Sequence, residues 1–270
     1  MSLRIQNNVE AFNAQRNLAG NSERLSKAME KLSSGYRINR ASDDAAGLAI
    51  SEKLRGQIGG LGQASRNASD AISLVQTAEG ALNEVHSMLQ RVRELAVQYK
   101  NGTLSTNDRT AIQSEVNQLK AEIERIEDDT EFNGIKLLDG SSPSISFQVG
   151  AGDGQQIAVT TITIADVVSS DVFTLDSDAS VTDIEQIDAA INNISAARAT
   201  FGSVQNRLDH TISNLASYQE NLTASESRIR DADMASEMVN FTKLQILQQA
   251  GTSMLAQANL APQSVLSLLR

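Results

Sequence analysis

The chain has 270 residues and a formal net charge of −10, with no Cys, no Trp, two Pro and 3% aromatic residues. Without Cys there is no disulfide framework, no thiolate metal site and no thiol nucleophile. No run of about 18 apolar residues is present to span a membrane, and the acidic balance argues against a general nucleic-acid binder.

The composition favours long helices that pack along their sides. Hydrophobic residues make up 40% of the chain but few are aromatic, so burial must rely on Leu, Ile, Val and Ala, which suit helix-on-helix seams. Residues 1–142 and 144–261 contain no Pro, and very long helices are therefore permitted.

The charge is concentrated in the middle of the chain. Residues 121–190 carry 15 acidic and two basic side chains, whereas residues 1–60 carry six acidic and nine basic ones. This pattern alone favours a solvated acidic loop region. The alternative is a chain whose ends pack together while its middle faces water.

Apolar residues recur every seven positions in two long segments, which predicts helices over about 44–100 and 183–230. The first series is Leu54, Leu61, Ala68, Val75, Leu82, Leu89 and Ala96. The second is Ile187, Ile194, Phe201, Leu208, Leu215, Leu222 and Ile229.

Three shorter segments have the same helical character. The N-terminal segment repeats Ala11, Leu18, Leu25 and Leu32 before Ser33-Ser34-Gly35 interrupts it. A helix over about 105–129 has capping residues at Ser105-Thr106-Asn107-Asp108. The C-terminal segment places Leu244, Leu247, Met254, Leu255 and Ala258 at helical spacing.

The apolar period changes to two between the predicted helix over 105–129 and the predicted helix over 183–230. Ile145, Phe147 and Val149 alternate before a glycine-rich run at 150–154. This predicts a β-hairpin over about 144–165, with Ile162 and Ile164 extending or bulging its second strand. Residues 165–182 are short, acidic and rich in Ser and Thr, and we predict a surface connection there.

The predicted fold is mainly α: a long antiparallel coiled-coil-like helical bundle with a small β-hairpin. We predict a terminal domain of residues 1–43 plus 231–270 and a rod domain of residues 44–230. Amphipathic helices without a packing surface are marginal in water. The terminal segments are therefore predicted to be disordered in the monomer and to fold when subunits associate.

No motif for catalysis or cofactor binding is visible. His86 and His210 lie inside helical repeats, and no HExxH, P-loop or GxSxG motif is present. Asp176, Asp178 and Asp183 lack the glycine and bidentate Glu of an EF-hand. We expect no enzyme activity, no cofactor and no metal.

Four blocks of sequence resemble the bacterial flagellins. They are KLSSGYRINRASDDAAGLAISEKLRGQI (31–58), QTAEGALNEVHSMLQRVRELAVQ (76–98), TEFNGIKLLDG (130–140) and ESRIRDADMASEMVNFTKLQILQQAGTSMLAQANLAPQSVLSLLR (226–270). The resemblance implies a structural subunit of the extracellular flagellar filament, used for swimming, with its terminal helices pairing in the filament core. The connection between the predicted hairpin and the predicted helix over 183–230 is short, which implies a minimal form without outer variable domains. The alternative is a hook–filament junction protein or another exported coiled-coil flagellar binding protein.

The resemblance also implies a set of partners and a route. The chain would bind itself in a helical homopolymer, the filament cap, hook-junction proteins, and a secretion chaperone over Met238 to Leu269. The vertebrate innate receptor for flagellin would be a further partner; nucleic acid and membrane would not. Polar residues follow Met1 where a secretory apolar region would stand, so export without a cleavable signal peptide is expected.

Three groups of residues are candidates for these contacts. Core-assembly seams would use Leu18, Leu25, Leu32, Leu244, Leu247, Met254, Leu255, Leu266 and Leu269. The inter-domain link would use Ser33, Gly35, Arg40, Asp43 and Asp44, with Arg40 pairing with Asp43 or Asp44 between subunits; a solvated capped turn has equal weight. Innate-receptor contacts would be Leu89, Gln90, Arg91, Glu94, Leu95 and Glu115. Leu89 also occupies a heptad position, which favours core packing, so Arg91 is the better receptor candidate.

Overall fold

The computed structural model describes residues 8–176 and 183–268 and confirms a mainly α fold with long helices and a small hairpin. The helices are α1 (Val9–Ser34), α2 (Ala45–Tyr99), α3 (Thr106–Asp129), α4 (Ile164–Val167), α5 (Asp183–Arg230) and α6 (Met234–Leu268), with a 3₁₀ turn at Ser170–Phe173. The strands are β1 (Glu131–Phe132), β2 (Ile135–Lys136), β3 (Ser144–Gln148) and β4 (Gln156–Thr160). The chain divides into two compact units: residues up to 56 together with those from 221 form unit 1, and residues 57–220 form unit 2.

The core of unit 2 follows the two heptad series. From Leu61 to Ala96 on α2, and from Ile187 to Leu215 on α5, every residue of the series is buried. Ile112, Val116 and Ile123 of α3 are buried too, and all three helices contribute to one hydrophobic cluster. Period-seven apolar seams therefore fix which face of each helix turns inward.

The start of α3 is fixed by a capping box. The Ser105 hydroxyl accepts a hydrogen bond from the Asp108 N–H, and the Asp108 carboxylate accepts one from the Ser105 N–H at 3.0 Å. These bonds satisfy backbone donors that the first turn leaves without helical partners. The Ser105 hydroxyl also donates to Asp108 Oδ2 at 2.7 Å, and this bond, together with the one from the Ser105 N–H, lowers the pKa of Asp108.

Two antiparallel hairpins follow α3. The β1–β2 turn uses Asn133 (φ +51°) and Gly134 (φ +77°), and two left-handed residues are what a tight type I′ hairpin needs. In the longer hairpin, Ser144 pairs with Thr160 and Gln148 pairs with Gln156. Its inner face packs on the core of unit 2 through Ile145, Phe147, Ile157 and Val159.

The segment after β4 differs from the predicted surface connection. The strand ends at Thr160, and Ile164 instead starts α4, with its N–H donating to the Leu138 carbonyl at 3.0 Å. The segment's apolar side chains join the core of unit 2: Ile164, Val168, Val172, Phe173 and Leu175. The prediction followed the acidic composition of this stretch, whereas its apolar residues are numerous enough to pack into the core.

One acidic side chain of the middle region is itself buried. Asp183, at the start of α5, is 2% exposed. Its carboxylate accepts the Asp176 N–H at 2.9 Å and lies 3.7 Å from the Lys100 ammonium. A buried carboxylate needs such partners, because an unpaired charge in the core is costly.

We expect Leu89→Ala to lower the free energy of unfolding of unit 2 by about 2–5 kcal/mol, because it leaves a cavity in the core. Val97→Ala on the same helix is the matched control: Val97 is 52% exposed, and we expect a change within about 0.5 kcal/mol. Urea unfolding followed by far-UV circular dichroism measures both. Equal effects for the two variants would contradict the inward placement of Leu89.

Candidate assembly interface

Helices α1 and α6 of unit 1 pack as an antiparallel pair. The Asn8 side-chain amide donates to the Ala258 carbonyl at 2.7 Å, and the Asn21 amide donates to the Leu244 carbonyl at 2.9 Å. A Cβ on Gly251 would lie 3.1 Å from Leu18 Cδ1, so glycine lets the two helices approach closely here.

The seam between these helices follows steps of three and four residues on both sides. The inward positions of α1 are Ala11, Ala14, Leu18, Asn21, Leu25, Ala28 and Leu32, and those of α6 are Phe241, Leu244, Gln248, Gly251, Leu255 and Ala258. The predicted seam residues therefore separate into two groups. Leu18, Leu25, Leu32, Leu244 and Leu255 face the paired helix, whereas Leu247 and Met254 point outward. The side chain of Leu266, and Leu269, lie outside the described residues.

The outward faces of the two helices differ in charge. On α1 the outward face carries Arg16, Glu23, Arg24 and Lys27 beside exposed Phe12 and Met29. On α6 the outward face, which we call the α6 outer face, carries large apolar side chains among uncharged polar ones. These apolar side chains are 45–72% exposed: Met234, Met238, Val239, Ile246, Leu247, Met254 and Leu260. Between residues 234 and 260 the only charged side chains are Glu237 and Lys243. Exposed large apolar side chains grouped in this way mark a surface that binds a partner.

Two concave regions are lined by side chains of the α6 outer face. One, of about 510 Å³, is lined by Met238, Val239, Thr242, Lys243, Ile246 and Leu247. The other, of about 590 Å³, lies along the edge of the helix pair and is lined by both helices, among them Leu247, Gly251 and Met254 of α6 and Leu18, Gly20 and Arg24 of α1. Grooves of this kind accept inserted side chains of a partner, as the best-packed parts of protein interfaces do.

The candidate link after α1 is a capped turn within this chain. Helix α1 ends at Ser34 because Gly35 adopts φ +76° and its N–H donates to the Lys31 carbonyl at 2.9 Å. The Asp43 carboxylate accepts the N–H groups of Arg40 (3.0 Å) and Asn39 (3.2 Å), which lowers the pKa of Asp43. Asp44 caps the start of α2 by accepting the Gly47 N–H at 2.9 Å.

Arg40 pairs within the chain. Its Nε donates to Glu30 Oε1 at 2.8 Å, and this bond raises the pKa of the Arg40 guanidinium further above its ordinary value. Pairing of Arg40 with Asp43 or Asp44 of a neighbouring subunit stays a prediction.

Arg230 holds the two link segments together, a role that no sequence pattern predicts. The backbones pair as a short antiparallel bridge: the Arg37 N–H donates to the Arg230 carbonyl at 2.7 Å, and the Ala232 N–H donates to the Gly35 carbonyl at 2.9 Å. The Arg230 guanidinium lies 4.9 Å from the Tyr36 ring centroid and donates to Glu52 Oε1 at 2.5 Å, with its side chain 12% exposed. From the sequence alone, Arg230 reads as a cation in the last turn of a helix.

The ion pair makes the link sensitive to acid. The hydrogen bond from Arg230 lowers the pKa of Glu52 below its ordinary value of 4.5. A carboxylate with a lowered pKa contributes stability above that ordinary value, and the contribution is lost as the pH falls through the lowered pKa.

The candidate receptor residues of unit 2 separate into core and surface. Leu89 and Leu95 are buried in the core. Arg91 is on the surface, where its Nε donates to Glu115 at 3.0 Å and its NH1 donates to Glu94 at 3.0 Å. The Gln90 amide lies 2.9 Å from His86 Nε2. The structure therefore brings Arg91, Glu94 and Glu115 into one exposed charged cluster and excludes the two leucines from it.

Neither a membrane span nor a metal cluster is visible in the described parts of the chain. Among the described helices, none combines the length and the hydropathy needed to cross a membrane. Within residues 8–176 and 183–268, no three His, Asp or Glu side chains group so that they could hold a metal ion.

Known proteins match this chain from end to end. The family profile described as "Bacterial flagellin N-terminal helical region" matches residues 5–143, and "Bacterial flagellin C-terminal helical region" matches residues 184–269. The chain is 54% identical to a flagellin of Halalkalibacterium halodurans, over 98% of this chain and 99% of that protein. It is 50% identical to a flagellin of Bacillus subtilis, over 99% of this chain and 100% of that protein.

A solved structure has the same fold. The crystal structure of Bacillus cereus flagellin superposes with a TM-score of 0.52 at 35% identity, covering 60% of this chain and 94% of that one. The two family profiles, the identity over nearly the whole length and the shared fold agree, and together they place this chain in the bacterial flagellins, the structural subunits of the flagellar filament.

Proposed function

We propose that this flagellin adds to the filament by burying the α6 outer face against neighbouring subunits. The observation that carries the proposal is an apolar face with no partner in the described chain, on a helix whose opposite side already packs on α1. Burying a large apolar side chain contributes about 1.5–3 kcal/mol, and roughly half of that for a side chain already half covered. Seven such side chains supply enough free energy to offset part of the entropy that association costs.

The proposed contact joins the α6 outer face of one subunit to a different surface of the next. A contact between two different surfaces does not close into a symmetric pair. Repetition of such a contact extends a helical polymer. We assign residues 1–43 and 231–270 to the part of the subunit that makes these contacts, and residues 44–230 to the rod.

Before assembly, the same face is a liability. An exposed apolar face promotes early association, so the proposal includes a secretion chaperone that covers Met238 to Leu269. It also includes terminal helices that become ordered on addition, export without a cleavable signal peptide, and contacts with the filament cap and hook-junction proteins. The family membership supports a filament subunit over a hook–filament junction protein.

The acidic surface of the middle region has a role in the same proposal. Among its side chains, Glu124, Asp128, Asp129, Glu131 and Asp153 are exposed. We assign this surface to the outside of the filament, where a negative field keeps filaments apart and soluble.

The first test of the proposal is seeded elongation. We expect Ile246→Asn and Val239→Asn to reduce elongation of filament seeds at least roughly tenfold, because each places an amide in an apolar contact. Val97→Asn is the control, since Val97 is exposed to a similar degree but lies on unit 2. Electron microscopy of seeds extended with each variant gives the filament lengths. Normal lengths for the two α6 variants would refute the proposed face.

The link is tested through its backbone hydrogen bonds. We expect Arg230→Met to speed amide exchange of Arg37 and Ala232 by roughly tenfold, because the variant removes the guanidinium that holds Glu52 and Tyr36. The control is Arg228→Met, two residues away, whose side chain donates to Ser225 on the helix surface. Unchanged exchange in Arg230→Met, measured by NMR or mass spectrometry, would show that the bridge holds without the guanidinium.

The receptor contact is tested on the charged cluster of unit 2. We expect Arg91→Ala to reduce signalling of the monomer through the vertebrate flagellin receptor, because an exposed Arg is a typical interface anchor. Arg93→Ala is the matched control: Arg93 lies on the same helix and pairs with Asp188 at 2.6 Å instead. A cell reporter assay compares the dose responses. If Arg91→Ala signals as the unmodified chain does, Arg91 is not a contact.

A further inference from the structure

The α6 outer face concentrates the oxidisable sulfur of this protein. The chain has six Met and no Cys, so thioethers are its only sulfur groups. Met238 is 52% exposed and Met254 is 66% exposed, and each lines one of the two concave regions of the α6 outer face. Met88, in contrast, is partly buried against the core of unit 2.

We propose that Met238 and Met254 are oxidation sites that decide whether the subunit can add to a filament. This inference rests on the proposed function, because the two side chains must lie in the assembly contact for their oxidation to matter. The modifying agent is a peroxide, which reaches these side chains in the free subunit and not after addition.

The chemistry needs no group from the protein besides the thioether. The sulfur lone pair attacks one oxygen of hydrogen peroxide, the O–O bond breaks, an S–O bond forms, and water leaves. The sulfur loses two electrons and the peroxide gains them. The product is methionine sulfoxide, which is polar and chiral where the thioether was apolar and flexible.

The surroundings of the two sulfurs make this change unfavourable for assembly. Val239, Ile246 and Leu247 surround the groove of Met238, and Leu247 continues into the groove of Met254. Side-chain donors also line the grooves: Thr242 and Lys243 beside Met238, and Arg16, Asn17, Asn21 and Arg24 beside Met254. All but Asn21 are exposed, and the Asn21 amide already donates to the Leu244 carbonyl. A sulfoxide that hydrogen-bonds to one of these donors therefore stays exposed to solvent. A sulfoxide that is buried in the subunit contact loses this hydrogen bond, which costs free energy.

Met29 provides an internal comparison. It is 55% exposed and should oxidise at a rate similar to that of Met238, but it lies on the charged outward face of α1. The inference assigns the effect to the position of the sulfur on α6 and not to the number of oxidised methionines.

The test compares elongation of unoxidised seeds by monomers treated with hydrogen peroxide. Peptide mass spectrometry measures the fraction of each Met that is oxidised. We expect oxidised wild-type monomer to elongate at least about tenfold more slowly, a polar group having been placed in an apolar contact. The M234L/M238L/M254L variant, which removes every methionine of the α6 outer face, should elongate normally after the same treatment, because Leu conserves volume and cannot be oxidised. The M29L variant should lose elongation as the wild type does.

A second measurement needs no variant. In assembled wild-type filaments, Met238 and Met254 should oxidise at least roughly tenfold more slowly than in the monomer, since burial excludes the oxidant. Equal oxidation rates in the two states would overturn the inference. So would full-rate elongation by fully oxidised wild type, or an equal loss in M234L/M238L/M254L. If unoxidised wild-type monomer does not elongate seeds at all, the proposed function itself fails, and this inference fails with it.

Discussion

A helix face with large apolar side chains, which the described part of the chain leaves uncovered, is the constraint on which the rest of this protein depends. Helix α6 carries large aliphatic side chains and methionines on the side opposite its seam with α1, with two charged residues between positions 234 and 260. Exposing such a surface to water costs free energy, and this cost grows with the apolar area that is exposed. The chain reduces the exposed area by pairing α6 with α1, and the remainder requires another subunit.

The other contacts of unit 1 serve to present this face. The close approach at Gly251 and the amide bonds of Asn8 and Asn21 fix how α6 lies on α1. The bridge around Arg230 then fixes how the chain enters and leaves the helix pair. Unit 2 has a conventional core built from three helices, a hairpin and a connection, so its stability does not depend on a neighbour.

The sequence predicted what depends on local periodicity. The heptads from Leu61 to Ala96 gave the correct buried face, because a seven-residue repeat needs no tertiary information. The Ser105 cap was readable for the same reason, since its hydrogen bonds involve only near neighbours.

What the sequence did not predict depends on distant partners. The burial of Val172 and Phe173 was hidden by the acidic residues around them. Arg230 meets Glu52 from 178 positions away, and no local pattern marks such a pair. Heptad spacing also could not tell that Leu247 and Met254 face away from α1 while Leu244 and Leu255 face it, because large apolar residues occur on both sides of α6. Leu89 illustrates the reverse case: a family resemblance marked it as a surface contact, and its heptad position placed it correctly in the core.

The central claim is that subunits bury the α6 outer face when they join. Hydroxyl-radical footprinting of aliphatic side chains, read by mass spectrometry on free monomer and on assembled filament, tests it most directly. The account predicts that Val239, Ile246 and Leu247 react readily in the monomer and at least about tenfold more slowly in the filament, because water is excluded from a packed contact. Equal reactivity of these three side chains in both states would contradict it.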